Sequence, residues 1–119
     1  MPKNSTKEKG TEKESKLYRA VGLREYLSLA DGEPFSILEG GVAVKYFGKS
    51  FEETLAFANK PINNGVVAIF EVSISESALM VLADFAQVDK FIFRSGTIEI
   101  PQERLLAFNR ATLYVKHIY

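Results

Sequence analysis

The sequence predicts a single α+β domain in which a mostly antiparallel mixed sheet packs against three to four short helices. The chain has 119 residues, which is enough for one hydrophobic core and too few for a second. Short apolar segments with strand character alternate with segments whose apolar residues recur at helical spacing. Cysteine is absent, so the fold depends on its core, without disulfides or Cys-ligated zinc.

The N-terminal segment predicts a disordered tail or linker over residues 1–16. No large apolar residue follows Met1 in MPKNSTKEKGTEKESK, so the segment cannot bury enough apolar surface to offset its ordering entropy. We therefore expect the folded domain to span residues 17–119. No apolar run is long enough to cross a bilayer, and the apolar core of a signal peptide is missing. We expect a cytoplasmic protein without membrane contact, or a domain of a larger delivered protein that acts in a target cell's cytoplasm.

The N-terminal half of the domain predicts strands at 17–21 and 42–47, a short extended piece at 35–39, and two helices. The first helix covers residues 23–30 and ends near Gly32. Its expected core face consists of Leu23, Tyr26, Leu27 and Ala30. The second helix begins with Ser50 and Glu53, which are spaced as a capping box, and Pro61 closes it.

The C-terminal half predicts a long buried strand, two helices, a hairpin and a last strand. The apolar run 66–74 indicates a central strand that is buried on much of both faces. Ser75 or Ser77 is the candidate cap of a buried helix over 78–86. The remaining expected elements are a hairpin of 90–93 with 97–100, a helix at 102–109 after Pro101, and a strand at 112–118.

The charge balance and the histidine count exclude several functions. Fifteen basic residues balance fifteen acidic residues, which argues against broad electrostatic binding to nucleic acid. The single histidine, His117, lies near the C-terminus, so we expect no metal site built from histidines and no Ser-His-Asp triad. The glycine-rich motifs that bind phosphates are missing as well.

An ordered series of chemistry-bearing residues remains. Arg19 lies in the first strand, Tyr46 and Phe47 precede Ser50 at the start of a helix, and Glu99 lies in a strand that leads into a proline. This series resembles the ADP-ribosyltransferase fold, in particular its small bacterial toxin-type domains. The resemblance covers most of residues 17–110 and depends on order, spacing and residue type.

The resemblance implies a toxin-type ADP-ribosyltransferase that uses NAD to modify a protein or nucleic-acid target, with an immunity or antitoxin protein as partner. Arg19 would bind the ribose or diphosphate of NAD, and Tyr46 and Phe47 would stack against nicotinamide. Ser50 would brace the site, and Glu99 would be the catalytic carboxylate that holds the ribose hydroxyl. Related domains often carry that carboxylate two residues earlier, where this chain has Thr97.

Other interpretations of the same residues stay open. Ser50 suits a helix N-cap, Glu99 suits a solvated charge on a strand, and Glu103 is a second candidate for the carboxylate. A small metal-independent ribonuclease-like toxin would use cations among Lys45, Lys49, Arg94, Arg110, Lys116 and His117. A non-catalytic binding module with a degenerate transferase fold would instead present an exposed apolar patch. The enzymatic interpretation predicts that the Arg19 guanidinium and the Glu99 carboxylate line one pocket, with Tyr46 or Phe47 between them.

Overall fold

The computed structural model describes residues 13–37, 43–86 and 88–119, which form six strands and four α-helices. Their order is β1 (Glu14–Gly22), α1 (Leu23–Ala30), β2 (Val44–Gly48), α2 (Phe51–Ala58), β3 (Val66–Ser75), α3 (Glu76–Leu82), β4 (Asp84–Ala86), β5 (Thr97–Pro101), α4 (Gln102–Ala111) and β6 (Thr112–His117). A 3₁₀ turn at Pro61–Asn63 precedes β3. The predicted α+β class is confirmed.

The strands form one sheet in the order β4-β5-β2-β1-β3-β6, and each neighbouring pair is antiparallel. β1 pairs with β3 along its whole length. Between β1 and β2, in contrast, the ladder consists of the single pair Tyr18 and Gly48. The two central strands therefore part beyond this pair.

The sheet has two chemically different faces, because residues alternate along a strand and antiparallel partners share a face. The core face carries Leu17, Phe47, Val72 and Ile98, which are all buried. The opposite face carries Tyr18, Tyr46 and Thr97 and is covered by α2; we call it the cavity face.

The core lies between the core face and the helices α3 and α4. Phe47 is 1% exposed, and its ring centroid lies 5.3 Å from that of Phe35 and 5.2 Å from that of Phe108. The Asn109 side chain fixes Phe35, because its Oδ1 accepts from the Phe35 N–H at 3.0 Å and its Nδ2 donates to the Phe35 carbonyl at 2.8 Å. Asn109 therefore attaches the chain after α1 to the end of α4.

The boundaries of the first two strands differ from the prediction. β1 begins at Glu14, inside the segment predicted as a tail, because Glu14 pairs with Ser75 and its carboxylate accepts from Ser73 Oγ at 2.7 Å. Residues 1–12 of the predicted tail lie outside the described residues. β2 covers Val44–Gly48, whereas residues 35–37 form no regular element and residues 38–42 lie outside the described part of the chain.

The predicted helix over residues 23–30 is confirmed, but of its predicted core face only Tyr26 packs against the core, whereas Leu23, Leu27 and Ala30 are exposed. Leu23 and Leu27 are 58% and 56% exposed. The buried side instead contains Glu25, with Tyr26 and Leu29 packed against buried residues of the sheet. An ion pair between Glu25 and β1 sets this rotation of α1. The helix ends at Ala30, close to Gly32 as predicted, and Gly32 has a φ of 84°.

The capping box of α2 forms only in part. Ser50 Oγ accepts from the Glu53 N–H at 3.2 Å, as predicted. The Glu53 carboxylate does not return to Ser50 and binds Ser95 instead. The helix ends at Ala58, and Pro61 begins the 3₁₀ turn.

Two predictions for the C-terminal half are wrong. α3 is capped by Ser75 but ends at Leu82, with Met80 and Val81 exposed, and residues 84–86 form β4 against β5. The hairpin of 90–93 with 97–100 does not form, because the neighbours of β5 are β2 and β4. The strand predicted over 66–74, the helix predicted over 102–109 and the strand predicted over 112–118 are confirmed as β3, α4 and β6. Among the described residues, no helix has the length and apolarity that a membrane span requires.

Candidate functional site

A cavity of about 260 Å³ opens on the cavity face, between β1, β2 and β5, the helix α2 and residues 88–96. Five aromatic residues line it, together with the hydroxyl-bearing residues Thr54 and Thr97. Arg19 also borders it from the sheet. The aromatic lining residues are Tyr18, Tyr46, Phe47, Phe57 and Phe93.

The aromatic walls are held by contacts outside the cavity. The Tyr18 hydroxyl donates to Glu71 on β3 at 3.0 Å, and the Tyr18 ring contacts Phe51 of α2 edge-on. The rings of Phe57 and Phe93 lie 5.3 Å apart, which connects α2 to residues 88–96. Tyr46 is 36% exposed, so its ring is accessible from solvent.

Glu71 accepts hydrogen bonds from two tyrosines, since Tyr114 on β6 also donates to it at 2.7 Å. The bond from Tyr114 lowers the pKa of the Glu71 carboxyl despite partial burial, and the bond from Tyr18 adds to this effect. Burial and Glu71 raise the pKa of Tyr18 to about 12. The hydrogen bond to Glu71 is the main cause that raises the pKa of Tyr114 to about 12.

Arg19 belongs to a buried ion cluster on the core face. Its Nε and Nη2 donate to the two oxygens of Glu25 at 2.6 and 2.8 Å, a bidentate pair. Its Nη1 donates to the Tyr46 carbonyl at 2.9 Å, and its guanidinium carbon lies 5.9 Å from the centroid of the Phe47 ring. Lys45 completes the cluster, with Nζ 3.3 Å from Glu25 Oε1.

Two cations share one carboxylate in this cluster, and the pKa values follow from that arrangement. Burial raises the pKa of the Glu25 carboxyl, but the hydrogen bonds and charge of Arg19, with a contribution from Lys45, hold it below its ordinary value. Burial and the charge of Arg19 lower the pKa of the Lys45 ammonium, although Glu25 opposes this. The cluster is therefore stable only while Glu25 is ionised.

The structure does not bring Arg19 and Glu99 into one pocket. Glu99 pairs with Tyr46, so its side chain lies on the cavity face, whereas the Arg19 guanidinium lies over Phe47 on the core face. Thr97 lies one pleat step from Glu99 on the same face, and it is Thr97 that lines the cavity. Among the described residues, none forms a hydrogen bond or an ion pair with the Glu99 carboxylate.

The structure separates the other predicted site residues as well. Tyr46 and Phe47 both border the cavity, but the Phe47 side chain packs in the core, because adjacent strand residues face opposite sides. Ser50 caps α2, and its Oγ also donates to Glu52 at 3.2 Å; it does not line the cavity. Glu103 is exposed in the first turn of α4 and lies outside the cavity lining.

The cations of the ribonuclease alternative are not gathered at one place. Lys45 is buried in the ion cluster, Lys49 lies over the Phe85 ring, and Lys116 lies over the Tyr114 ring. His117 stacks on Phe70, on the core face. Within the described residues, no group of three or more His, Asp or Glu is placed to hold a metal ion.

Sequence reasoning missed several residues that build the site. Glu25 lies in α1, where the apolar spacing predicted a core face made of other residues, and no local pattern indicates that Glu25 is buried. Thr54 lies in α2 four residues after Ser50, and no local pattern marks it as a lining residue. Phe57 and Phe93 meet only through the tertiary fold. Comparison of the chain with protein-family models, with curated proteins and with solved structures finds no match.

Proposed function

We propose that the chain binds NAD, or a nucleotide like it, by holding the nicotinamide ring in the cavity, and that it acts as a non-catalytic binding module. The observation that carries the proposal is the cavity itself, whose lining includes five aromatic residues. Aromatic faces bind planar heterocycles by stacking. Cavities for drug-sized ligands measure about 300–1,000 Å³. A cavity of about 260 Å³ therefore suits one ring of a larger molecule.

Binding without transfer follows from the side chains at the cavity. A transferase of this type needs a fixed carboxylate where positive charge develops on the ribose. From β5, the strand that carries Glu99, the cavity lining contains Thr97. Its hydroxyl carries no charge and so does not replace a carboxylate. Arg19 is engaged with Glu25 and with the Tyr46 carbonyl, so its charge is already compensated.

The proposal is tested by calorimetric titration of the full chain with NAD and with nicotinamide. A lost stack of about 0.5–1.5 kcal/mol weakens binding by roughly 2- to 12-fold, so Tyr46→Ala is expected to reduce the affinity for both ligands in that range. Tyr46→Phe is the matched control, because it keeps the ring and is expected to bind as wild type does. Equal affinity in the alanine variant, or no binding of either ligand at millimolar concentration, would falsify the proposal.

A second candidate function is the toxin-type ADP-ribosyltransferase, with NAD as the substrate and a protein or nucleic acid as the target. One observation favours it. Glu99 lies on the cavity face as the ladder partner of Tyr46, and no described residue forms a hydrogen bond or an ion pair with its carboxylate. An active toxin of this kind would act in the cytoplasm of a target cell and would need an immunity or antitoxin partner.

Consumption of NAD by wild type and by Glu99→Gln separates the two functions. Turnover in wild type that is lost in the variant supports the transferase. Binding of NAD without turnover in wild type supports the binding module. Equal turnover in both proteins removes Glu99 from the chemistry.

A further inference from the structure

Residues 88–96 lie along the chain between β4 and β5, border the cavity and form neither a helix nor a strand. Val88 and Phe93 contribute to the cavity lining. Backbone conformations with positive φ lie near both ends of the segment, at Asp89 with φ of 50° and at Gly96 with φ of 88°. Such positions reverse the chain direction sharply, so the segment turns at both ends.

Two polar attachments connect the segment to α2 and the turn after it. The Glu53 carboxylate accepts from the Ser95 N–H at 3.2 Å and from the Ser95 hydroxyl at 2.7 Å. Lys60 Nζ donates to the Asp89 carboxylate at 2.9 Å. These bonds lie near opposite ends of the segment and are only partly shielded from solvent.

The middle of the segment is attached differently. Phe93 is buried and packs against Phe57 of α2 at the edge of the cavity. Internal hydrogen bonds hold the segment together: the N–H groups of Ile92 and Phe93 donate to the Asp89 carbonyl, and that of Gly96 donates to the Phe93 carbonyl. The segment can therefore move as one body once its attachments to α2 are released.

We propose that residues 88–96 form a lid over the cavity, held closed by Glu53 and Lys60 and opened by withdrawal of Phe93 from Phe57. The lid controls access to the cavity, and its role for a ligand rests on the proposed function. Movement of the lid itself does not depend on which ligand binds. Because Lys60 and Asp89 form an ion pair near solvent, salt weakens that attachment and favours opening.

Hydrogen–deuterium exchange of the full chain tests the lid. Glu53→Gln replaces the charge-assisted bonds to Ser95 with weaker neutral ones, so the amides of Ser95 and Val88, which donate to groups outside the segment, are expected to exchange about tenfold faster. Glu52→Gln is the matched control, because Glu52 lies on the same helix and does not contact the lid. Amides of β3 are expected to exchange as in wild type in both variants.

Salt provides a second perturbation that needs no substitution. Raising NaCl from 0.1 to 1 M shortens the screening length from about 10 to about 3 Å and is expected to accelerate lid exchange in wild type more than in Lys60→Gln, which lacks the ion pair to Asp89. Lys60→Gln removes the other attachment and repeats the test if Glu53→Gln fails to fold. Unchanged lid exchange in the folded variants overturns the lid, as does acceleration that lid and β3 amides share equally.

Nicotinamide distinguishes failure of the lid from failure of the proposed function. Saturating nicotinamide is expected to slow lid exchange in wild type, because a ligand in the cavity stabilises the closed state. If Glu53→Gln accelerates exchange and nicotinamide has no effect, the lid stands and the proposed ligand is wrong.

Discussion

Replacing Glu25 with Gln removes the carboxylate that the buried Lys45 and the partly buried Arg19 share. Breaking a buried ion pair by removal of one partner costs about 3–5 kcal/mol. The Arg19 side chain is 20% exposed, so water partly compensates its charge, which reduces the loss. The Lys45 side chain is 5% exposed, but it can lose its proton instead of remaining a buried charge. We therefore expect the lower end of the range, about 3 kcal/mol.

The expected loss is large enough to measure by thermal and chemical unfolding. For a domain of 60–100 residues, 1 kcal/mol shifts Tm by about 4–8 °C, so Glu25→Gln is expected to lower Tm by about 12–24 °C. Urea titration followed by circular dichroism gives the free energy of unfolding independently. Glu33→Gln is the matched control, because Glu33 is exposed, and its effect is expected to stay within about 0.5 kcal/mol.

The pH dependence of the difference identifies its electrostatic origin. The pKa of Glu25 is lowered in the folded chain. The stabilisation by the Glu25 carboxylate is therefore fully present above pH 4.5 and is lost as the pH falls through the pKa that Glu25 has in the folded chain. The gap between wild type and Glu25→Gln is therefore expected to narrow in acid. The pKa of Lys45 is lowered in the folded chain, so at alkaline pH up to about 10.5 this lysine binds more protons in the unfolded chain than in the folded chain. The free energy of unfolding of the variant should therefore rise with pH in that range. A loss below about 1 kcal/mol at pH 7, or a gap that does not change with pH, refutes the reasoning.

Two further predictions concern the surroundings of the cavity. A Cβ at Gly48 would clash with Thr54 Oγ1, so Gly48→Ala is expected to lose about 1–3 kcal/mol of stability, whereas Gly65→Ala, with open space around it, stays near wild type in the same urea titration. Glu71→Gln is expected to lower the pKa of the two tyrosines that donate to it, each about 12 in wild type, in a spectrophotometric titration of tyrosinate; unchanged titration would contradict their assignment to Glu71.

The sequence predicted helix ends correctly where they depend on hydrogen bonds between residues that are close in the chain. Ser50 and Ser75 cap helices, and Gly32 ends one, because each bond joins residues a few positions apart. The apolar run 66–74 predicted a buried strand because a continuous apolar run of this length is typical of a strand that is covered on both faces. The face of α1 was not predictable from its own residues, since an ion pair with Arg19 overrides the apolar stripe.

The segment before β5 shows where local patterns fail. Residues 90–93 have strand character, but Phe93 is buried against Phe57 of α2, and Ser95 takes the carboxylate that the capping box of α2 would have used. Both contacts depend on the tertiary fold. Within the site, the antiparallel pairing of β2 with β5 places Tyr46 and Glu99 on one face, and this pairing is also a tertiary feature. Thr97 is the residue of β5 that lines the cavity. A local pattern could not identify it, because the choice depends on where α2 and residues 88–96 cover the sheet.

The parting of β1 and β2 connects the ion cluster to the cavity. Beyond the ladder pair of Tyr18 and Gly48, the bond from Arg19 Nη1 to the Tyr46 carbonyl joins the two strands. Glu25 orients that guanidinium from the core face, while the Tyr46 ring lies on the cavity face. The position of a cavity wall therefore depends on a carboxylate on the other side of the sheet. Glu25→Gln should weaken ligand binding as well as stability, although Glu25 does not line the cavity.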